Sequence, residues 1–345
     1  MNISEFYTLY LTANKVTIDS RKIEENDIFF AFSGDNFNAA TLAEDAINKG
    51  AKAVIVEDKN FENPAKNIFY VESTLQFLQE LAKHHRAQLN IPIIALTGSN
   101  GKTTTKELIH AVLSQKFNVQ YTFGNLNNHI GVPLTLLSIK PNHEMAVVEM
   151  GANHQKEIEF LCQIARPNFG YITNFGKAHL EGFGGREGIA KAKGEIFSGL
   201  VAGGTAIINL DDEFASYHLD LAKHYKTLTF STHNTQANIY ATDAHRVAGG
   251  AWAFNLHIAE QSTPIQLQLV GQHNVANALA AAALAWACGL TLPQIQMGLN
   301  QAQAAAGRMV LHRRGAITVI DDTYNANPNS MKAAIDELAL CSGRR

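Results

Sequence analysis

The sequence predicts an α/β fold, in which a small N-terminal α/β domain precedes a central, doubly wound sheet with an added antiparallel hairpin region. Short apolar segments alternate with helical patterns along most of the chain, which is typical of strands joined by helices. The segment Ile91–Thr97 is an almost unbroken apolar run and indicates a strand buried on both faces of a parallel sheet. Between Ile239 and Val270, alternating residues around Gly249-Gly250 predict antiparallel hairpins beside that sheet.

The N-terminal domain is predicted to span residues 1–90, because a new buried strand begins at Ile91. Within it we expect three strands and two helices, at Asp27–Phe32, Ala53–Glu57, Ile68–Val71, Thr41–Asn48 and Thr74–Gln88.

The central domain is predicted to span residues 91–306. Its later strands are expected at Met145–Met150, Gly170–Phe175, Thr205–Leu210 and Thr227–Ser231, and the Ala-rich segment Asn274–Cys288 indicates a buried helix. A strand at Ile317–Ile320 and a helix at Pro328–Leu340 then begin a further α/β unit, residues 307–345. Because one strand and one helix cannot bury a core, this unit is expected to be incomplete.

Composition sets limits on function. The 345 residues are 46% hydrophobic and 17% charged, which is ordinary globular usage and enough for two or three domains. The net charge of −3 gives no general electrostatic basis for binding nucleic acid or an anionic membrane. Three scattered cysteines suggest neither disulfides nor zinc, and no leader or spanning segment is recognised, so we expect a cytoplasmic protein without membrane insertion.

The segment Thr97-Gly-Ser-Asn-Gly-Lys-Thr-Thr104 follows a buried strand and precedes an amphipathic helix. A glycine turn at a helix N-terminus offers backbone N–H groups to phosphates, which predicts a P-loop for ATP. Lys102 would neutralise the β- and γ-phosphates and the Thr103 hydroxyl would ligate Mg²⁺. The remaining predicted contacts of this loop are Gly98, Ser99, Asn100, Gly101 and Thr104.

Two further residues are candidate metal ligands at the same sheet edge. Glu149 ends the strand Met145–Met150, and His179 lies in the glycine-rich segment after the next strand. A solvated strand end and an exposed loop histidine are the plain alternatives.

Taken together, these motifs resemble the Mur ligases, which build the stem peptide of peptidoglycan. The resemblance covers essentially the whole chain and is nearest to the members that add D-alanyl-D-alanine. It rests on the P-loop and on Asp19-Ser-Arg21, Gly124-Asn-Leu-Asn-Asn128 with Gly131-Val-Pro-Leu134, Ala190-Lys-Ala-Lys-Gly-Glu-Ile-Phe197, and Asp321-Asp-Thr-Tyr-Asn-Ala-Asn-Pro328.

The resemblance implies an ATP-dependent amide ligase that joins UDP-N-acetylmuramoyl-tripeptide to D-alanyl-D-alanine through an acyl phosphate. It implies a pair of Mg²⁺ ions held by Thr103, Glu149, His179 and a carbamylated Lys193, with Lys191 as the competing lysine. Lys102, Glu149, His179 and Lys193 form the implied catalytic set.

The resemblance also implies nucleotide contacts from His273, Asn274, Asn277, Arg308 and Asp322, with Asn274 near adenine. By its chemistry alone, Asn274 could equally cap the helix that follows it.

For the UDP-precursor, the resemblance implies contacts from two groups of residues in separate motifs. They are Ser20, Arg21, Asn125, Asn127 and Asn128. A surface arginine and a plain asparagine turn are the alternatives.

Two other functions stay open at this point. The chain could be another ligase of the superfamily, including other stem-peptide ligases and folylpolyglutamate synthase. It could also be a nucleotide- and precursor-binding fragment without turnover, because the family's third, Rossmann-like domain is represented only by residues 307–345. We therefore expect a further C-terminal region, or a fusion to alanine racemase as some bacteria have.

Overall fold

A computed structural model describes residues 2–175, 183, 185–315, 317–341 and 343–344. It divides the chain into two compact units. The first unit contains residues 1–90 and 126–141, and the second contains residues 91–125 and 142–345.

The helices of the described chain are α1 (Ile3–Tyr10), α2 (Ala43–Asn48), α3 (Thr74–Gln88), α4 (Lys102–Leu113), α5 (Gly131–Leu137), α6 (Glu157–Ala165), α7 (Arg186–Ser198), α8 (Ala215–Leu221), α9 (His273–Ala287), α10 (Leu292–Gln301) and α11 (Pro328–Ala339). Short 3₁₀ turns lie at Ala39–Leu42, Lys59–Phe61, Pro64–Lys66 and Ala248–Gly250. Within the described ranges, no helix is both long enough and apolar enough to cross a bilayer.

The strands are β1 (Val16–Thr17), β2 (Ile28–Phe30), β3 (Ala53–Val56), β4 (Ile68–Tyr70), β5 (Ile93–Thr97), β6 (Val119–Tyr121), β7 (Met145–Glu149), β8 (Phe169–Ile172), β9 (Thr205–Asn209), β10 (Lys226–Ser231), β11 (Ile239–Arg246), β12 (Ala251–Ile258), β13 (Gln261–Val270), β14 (Val310–Arg314) and β15 (Ile317–Asp321).

The second unit is organised by a nine-stranded sheet in the order β13-β12-β11-β10-β9-β8-β5-β7-β6. Strands β5 to β11 pair in parallel, whereas β12 and β13 are antiparallel, as the alternation after Ile239 predicts. Central strand β5 lies between β7 and β8. Because the carboxyl ends of parallel strands meet at one sheet edge, the residues that follow β5, β7 and β8 are brought together there.

Helices cover both faces of this sheet, which confirms the predicted doubly wound architecture. Gly170 in β8 faces Phe197 of α7, and a Cβ at Gly170 would lie 3.5 Å from that ring. The next residue, Tyr171, is buried in a core with Leu108 of α4 and Leu279 of α9. Since successive strand residues point to opposite faces, α7 lies on one face, and α4 and α9 lie on the other.

The first unit has a four-stranded parallel sheet, β1-β2-β3-β4, and it also contains α5. The predicted boundary at residue 90 is therefore incomplete, since residues 126–141 belong to this unit too. The reason is packing, because α5 lies against α3 and the Tyr10 hydroxyl donates to the Leu137 carbonyl at 2.7 Å.

The segment from residue 307 onward lies in the second unit and contains one strand more than predicted. Strand β14 pairs antiparallel with β15, from Val310 opposite Asp321 to Arg314 opposite Ile317. Strand β14 was not predicted because its sequence, Val-Leu-His-Arg-Arg, lacks the alternation of apolar and polar residues that indicates a strand. Helix α11 follows, capped by the Asn327 side chain, which accepts from the Asn329 and Ser330 N–H groups.

A buried histidine of α3 contacts α1 and the segment that follows α5 in the first unit. His85 is 5% exposed, and its Nε2 lies 3.1 Å from the Ile139 carbonyl while Nδ1 lies 2.9 Å from the Tyr7 hydroxyl. A carbonyl can only accept, so Nε2 carries the proton and Nδ1 accepts from Tyr7. Burial lowers the pKa of His85 to about 4, and the imidazole is therefore neutral at neutral pH.

This histidine should make the protein sensitive to mild acid. Because the pKa is lower in the folded state than the ordinary 6.5, the unfolded state binds more protons below pH 6.5. We expect His85 to lower the free energy of unfolding by about 3 kcal/mol as the pH falls from 6.5 to 4. The free energy of unfolding can be measured from pH 6.5 to 4 by urea unfolding followed by circular dichroism. It should fall less steeply with pH in His85→Gln than in the matched control His84→Gln. Equal slopes in the two variants would contradict this assignment.

Candidate active site

The turn between β5 and α4 has a backbone that only glycine can supply at one position. Gly98 has φ +146°, and a Cβ there would lie 1.8 Å from Thr173 Oγ1. Gly101, with φ +78°, precedes the first residue of α4 in a left-handed conformation. The predicted phosphate loop therefore has the strand, tight turn and helix N-terminus that an anion-binding site requires.

Two polar residues after β8 hold this loop, and sequence reasoning missed both. Asn100 N–H donates to Asn174 Oδ1 at 3.0 Å, and the Asn100 carbonyl accepts from Thr173 Oγ1 at 2.5 Å and Asn174 Nδ2 at 2.9 Å. Their signal in the sequence was their position directly after a buried strand. The predicted strand Gly170–Phe175 ends earlier, at Ile172, because Thr173 and Asn174 turn to the loop.

Lys102, Thr103 and Glu149 meet at the start of α4. Lys102 Nζ donates to the Gly98 carbonyl at 2.7 Å, and Thr103 Oγ1 donates to Glu149 Oε2 at 3.2 Å. Burial lowers the pKa of Lys102; Glu149 opposes this shift and Arg308 adds to it. The Glu149 side chain is buried, with 2% of the residue exposed, so it is not the solvated strand end of the plain alternative.

These residues suit Mg²⁺ in their chemistry. A carboxylate and a hydroxyl are hard oxygen ligands, and Mg²⁺ commonly takes one or two carboxylates together with waters and phosphate oxygens. Within the described part of the chain, no group of three or more His, Cys, Asp or Glu residues could hold a metal. His179, the other predicted ligand, lies outside the described residues.

Helix α7 presents its two candidate lysines very differently. Lys193 is 3% exposed and its Nζ lies 5.8 Å from the centre of the Phe183 ring, whereas Lys191 is exposed. Burial and the nearby charge of Lys102 lower the pKa of Lys193 to about 7, so a large share of its amine is neutral at neutral pH. This difference favours Lys193 over Lys191 as the reactive lysine.

A cavity of about 380 Å³ opens beside the loop and is large enough for part of a nucleotide. Its lining includes Asn100, Gly101, His273, Asn274, Arg308 and Asp322. The structure thus brings the predicted nucleotide residues of three separate segments to one cavity.

Asn274 does not cap its helix with its side chain. Its Nδ2 donates to the Val270 carbonyl at 2.8 Å, and its Oδ1 accepts from Asn277 Nδ2 at 2.9 Å. Helix α9 instead begins at His273, after Gln272. The two buried asparagines support each other at the cavity wall.

The C-terminal segment reaches the phosphate loop directly. Arg308 Nη2 donates to Thr103 Oγ1 at 3.0 Å, and its guanidinium lies 4.1 Å from the Tyr324 ring centre. Asn327 Nδ2 also donates to Asn100 Oδ1 at 2.6 Å. These contacts hold Arg308 at the phosphate loop, so it is not a free surface charge. Asp322 accepts from the Met309 N–H at 3.2 Å, and its burial raises its pKa.

A partly buried ion pair holds this segment in place. Glu337 of α11 is 3% exposed and accepts from Arg246 Nε of β11 at 3.0 Å. Because an unpaired buried carboxylate is costly, Arg246 ties α11 to the antiparallel part of the sheet.

Two of the predicted precursor-binding residues, Ser20 and Arg21, belong to the first unit. The Arg21 guanidinium makes two hydrogen bonds to the Asp19 carboxylate, at 2.8 and 2.9 Å, and 85% of the Arg21 side chain is exposed. Ser20 accepts through its carbonyl from Lys49 Nζ at 3.4 Å. The Asp19 carboxylate fixes the orientation of the exposed Arg21 guanidinium through Nε and Nη2. The remaining N–H groups of the guanidinium can donate to an anion.

The asparagine cluster contains one residue with a clear structural role. Asn128 Oδ1 accepts from the N–H groups of Ile130 and Gly131, at 3.1 and 2.9 Å, and so starts α5. Asn125 is exposed and Asn127 is half-buried. A Cβ at Gly131 would lie 2.2 Å from the Leu126 carbonyl carbon, so this turn requires glycine.

The site is that of a P-loop nucleotide-binding protein. It has a glycine turn with its lysine at a helix N-terminus, and a buried carboxylate and a cavity lie beside that turn. The model of the Mur ligase middle domain matches residues 96–285, and that of the Mur ligase family catalytic domain matches residues 12–86. The chain belongs to the Mur ligase family and is an ATP-dependent ligase.

Individual relatives agree with this assignment. The UDP-N-acetylmuramoyl-tripeptide–D-alanyl-D-alanine ligase of Escherichia coli is 41% identical over 97% of this chain and 74% of its own length. MurF from Acinetobacter baumannii has a TM-score of 0.87 and 39% identity, over 95% of this chain and 72% of that one. MurF ligase from Thermotoga maritima in complex with ADP has a TM-score of 0.83 and 28% identity. That match covers 97% of this chain and 76% of the Thermotoga chain.

Proposed function

We propose that the protein adds D-alanyl-D-alanine to UDP-N-acetylmuramoyl-tripeptide, in an ATP-dependent step of peptidoglycan synthesis. The observation that carries the proposal is the meeting of Lys102, Thr103, Glu149 and Arg308 at one phosphate loop. Such a cluster suits transfer of a phosphoryl group between anions. The substrates are inferred from the relatives that share most of this chain.

The reaction needs phosphate because a carboxylate is a poor acyl electrophile. The terminal carboxylate oxygen of the tripeptide attacks the γ-phosphorus of ATP, the bond to the β-phosphate oxygen breaks, and ADP leaves. The amine of D-alanyl-D-alanine then attacks the acyl carbon, loses a proton, and expels inorganic phosphate. The amide bond thus forms with ATP converted to ADP and phosphate.

The chain's own residues act mainly by electrostatics in this mechanism. Two anions must approach each other in the first step, and the Lys102 ammonium and the Arg308 guanidinium offset their repulsion. Backbone N–H groups at the start of α4 orient the phosphates. Asn274 and Asn277 would position the adenine end of the nucleotide. His273 and Asp322 would position the rest of it.

Two Mg²⁺ ions are proposed to be held by four residues. They are Thr103, Glu149, His179 and a carbamylated Lys193. When bound, Mg²⁺ would screen the phosphate charges and stabilise charge that develops during transfer. Carbamylation forms a bond between the neutral Lys193 Nζ and CO₂ and releases one proton, so that the neutral amine becomes an anionic carbamate. The lowered pKa of Lys193 supports this step, since only a neutral amine adds CO₂.

Recognition of the precursor is proposed for the first unit and the asparagine segment. The planar fork of Arg21 suits a diphosphate, with Ser20 beside it. Asn125 and Asn127 offer amide groups to the muramoyl peptide, while Asn128 shapes the turn.

The proposal is tested by phosphate release from ATP with the purified 345-residue chain. We expect release only when UDP-N-acetylmuramoyl-tripeptide and D-alanyl-D-alanine are both present, with the pentapeptide product detected by mass spectrometry. L-Alanyl-L-alanine, D-alanine, and a folate with L-glutamate are the matched alternatives. Stimulation only by the folate pair would assign the chain to a different ligase. Binding of ATP and precursor without phosphate release would reduce its role to binding.

A further inference from the structure

A fully buried lysine lies beside the phosphate loop but has no part in the reaction described above. Lys106 in α4 is 1% exposed, and its Nζ donates to the Thr122 carbonyl at 2.7 Å. The same Nζ lies 3.2 Å from Glu107 Oε1 and 5.4 Å from the centre of the Tyr121 ring. Burying an ammonium group is costly, and an apolar side chain of the same length would fill this space at less cost.

The residue that Lys106 contacts is itself bonded to the candidate metal ligand. Thr122 is completely buried, and its Oγ1 accepts from the Glu149 backbone N–H at 2.9 Å. The paired residues of β6 and β7 end at Tyr121 opposite Val147. Beyond that point the Thr122 hydroxyl replaces the strand partner that Glu149 would otherwise need.

These contacts close into a ring that returns to α4. Glu149 Oε2 accepts from Thr103 Oγ1 at 3.2 Å. Thr103 and Lys106 are three residues apart in α4, so they lie on the same face of that helix. The ring therefore passes from Lys106 through Thr122 and Glu149 to Thr103.

We infer that Lys106 and Thr122 are positioning residues, which fix the end of β6 and thereby hold Glu149 at the Mg²⁺ site. The inference rests on the proposed role of Glu149 in holding the metal. Removing a group that orients a metal ligand commonly lowers metal affinity about 10- to 100-fold. Neither residue needs to touch the metal or the nucleotide for this effect.

The test measures binding of a non-hydrolysable ATP analogue by calorimetry, over a series of Mg²⁺ concentrations and without Mg²⁺. The variants are Lys106→Met, which removes the donor, and Thr122→Val, which removes the hydroxyl with little change of shape. Lys116→Met is the matched control, because Lys116 also donates to a backbone carbonyl, that of Gly289 at 2.8 Å. Thermal unfolding identifies any variant that does not fold.

In both variants we expect the Mg²⁺ concentration that gives half-saturation to rise about tenfold. Their affinity for the ATP analogue without Mg²⁺ should be almost unchanged. Lys116→Met should behave like the wild type in both measurements. The sign is decisive for Lys106→Met, because loss of a nearby positive charge alone would strengthen Mg²⁺ binding. An unchanged or lowered Mg²⁺ requirement in the folded variants overturns the inference. If Lys106→Met does not fold, Thr122→Val decides. A wild type whose nucleotide binding ignores Mg²⁺ would instead contradict the proposed function.

Discussion

Replacing Lys102 by methionine should lower the rate of ATP-dependent ligation at least about a thousandfold. Lys102 Nζ is held by the Gly98 carbonyl at 2.7 Å and lies at the start of α4, where the phosphates are expected. Methionine keeps most of the side-chain volume but removes the only charge that this position can offer. The effect should be larger on kcat than on nucleotide affinity, since the repulsion that Lys102 offsets grows as the two anions approach.

The measurement is phosphate release at saturating substrates, together with nucleotide affinity by calorimetry. Lys116→Met is the control, because it removes a lysine near the far end of the same helix and should leave the rate within about twofold of wild type. A Lys102→Met protein that is folded and retains more than about a tenth of the wild-type rate would refute the assigned role.

Replacing Lys193 by methionine should lower the rate of ligation by a factor of about a hundred to a thousand. The wild-type amine is buried and has a pKa of about 7, so it is available to CO₂ near neutral pH. Loss of the carbamate would remove an anionic ligand from the proposed Mg²⁺ site. The Mg²⁺ concentration required for activity should therefore rise in the variant.

The carbamate itself can be observed separately from activity. Wild-type protein equilibrated with ¹³C-labelled bicarbonate should give a carbamate signal by NMR, and this signal should be lost in Lys193→Met. Lys191→Met, which changes the exposed lysine two residues earlier, should retain both the signal and the activity. A signal that disappears in Lys191→Met instead would transfer the role to that lysine. Absence of any signal in the wild type would rule out the modification.

Much of the fold could be predicted because it depends on local pattern. The apolar run at Ile91–Thr97 became the central strand β5. The alternating segment after Ile239 became β11, β12 and β13, in which β12 is antiparallel to both neighbours. Element ends were less predictable. The residues of β8 stop at Ile172 because Thr173 turns to bond the Asn100 carbonyl, a partner 73 residues away.

The packing of residues 126–141 with the first unit could not be predicted for a similar reason. Nothing in that segment distinguishes it from the flanking central sequence, and its place follows from the contact between α5 and α3. The same holds for Arg308, which reaches Thr103 across 205 residues. Residue pattern alone makes this arginine an ordinary surface charge, and its expected role as a nucleotide contact came only from the family resemblance.

The phosphate loop was determined by the sequence itself, because its strand, glycine turn, lysine and helix are contiguous and their spacing imposes the geometry. The state of each candidate side chain was decided only by tertiary structure. Lys191 and Lys193 are two residues apart on α7, so they point to nearly opposite sides of the helix. Which of them is buried, with a lowered pKa, depends on which side packs against β8 and α6, and that contact is made by residues distant in the chain.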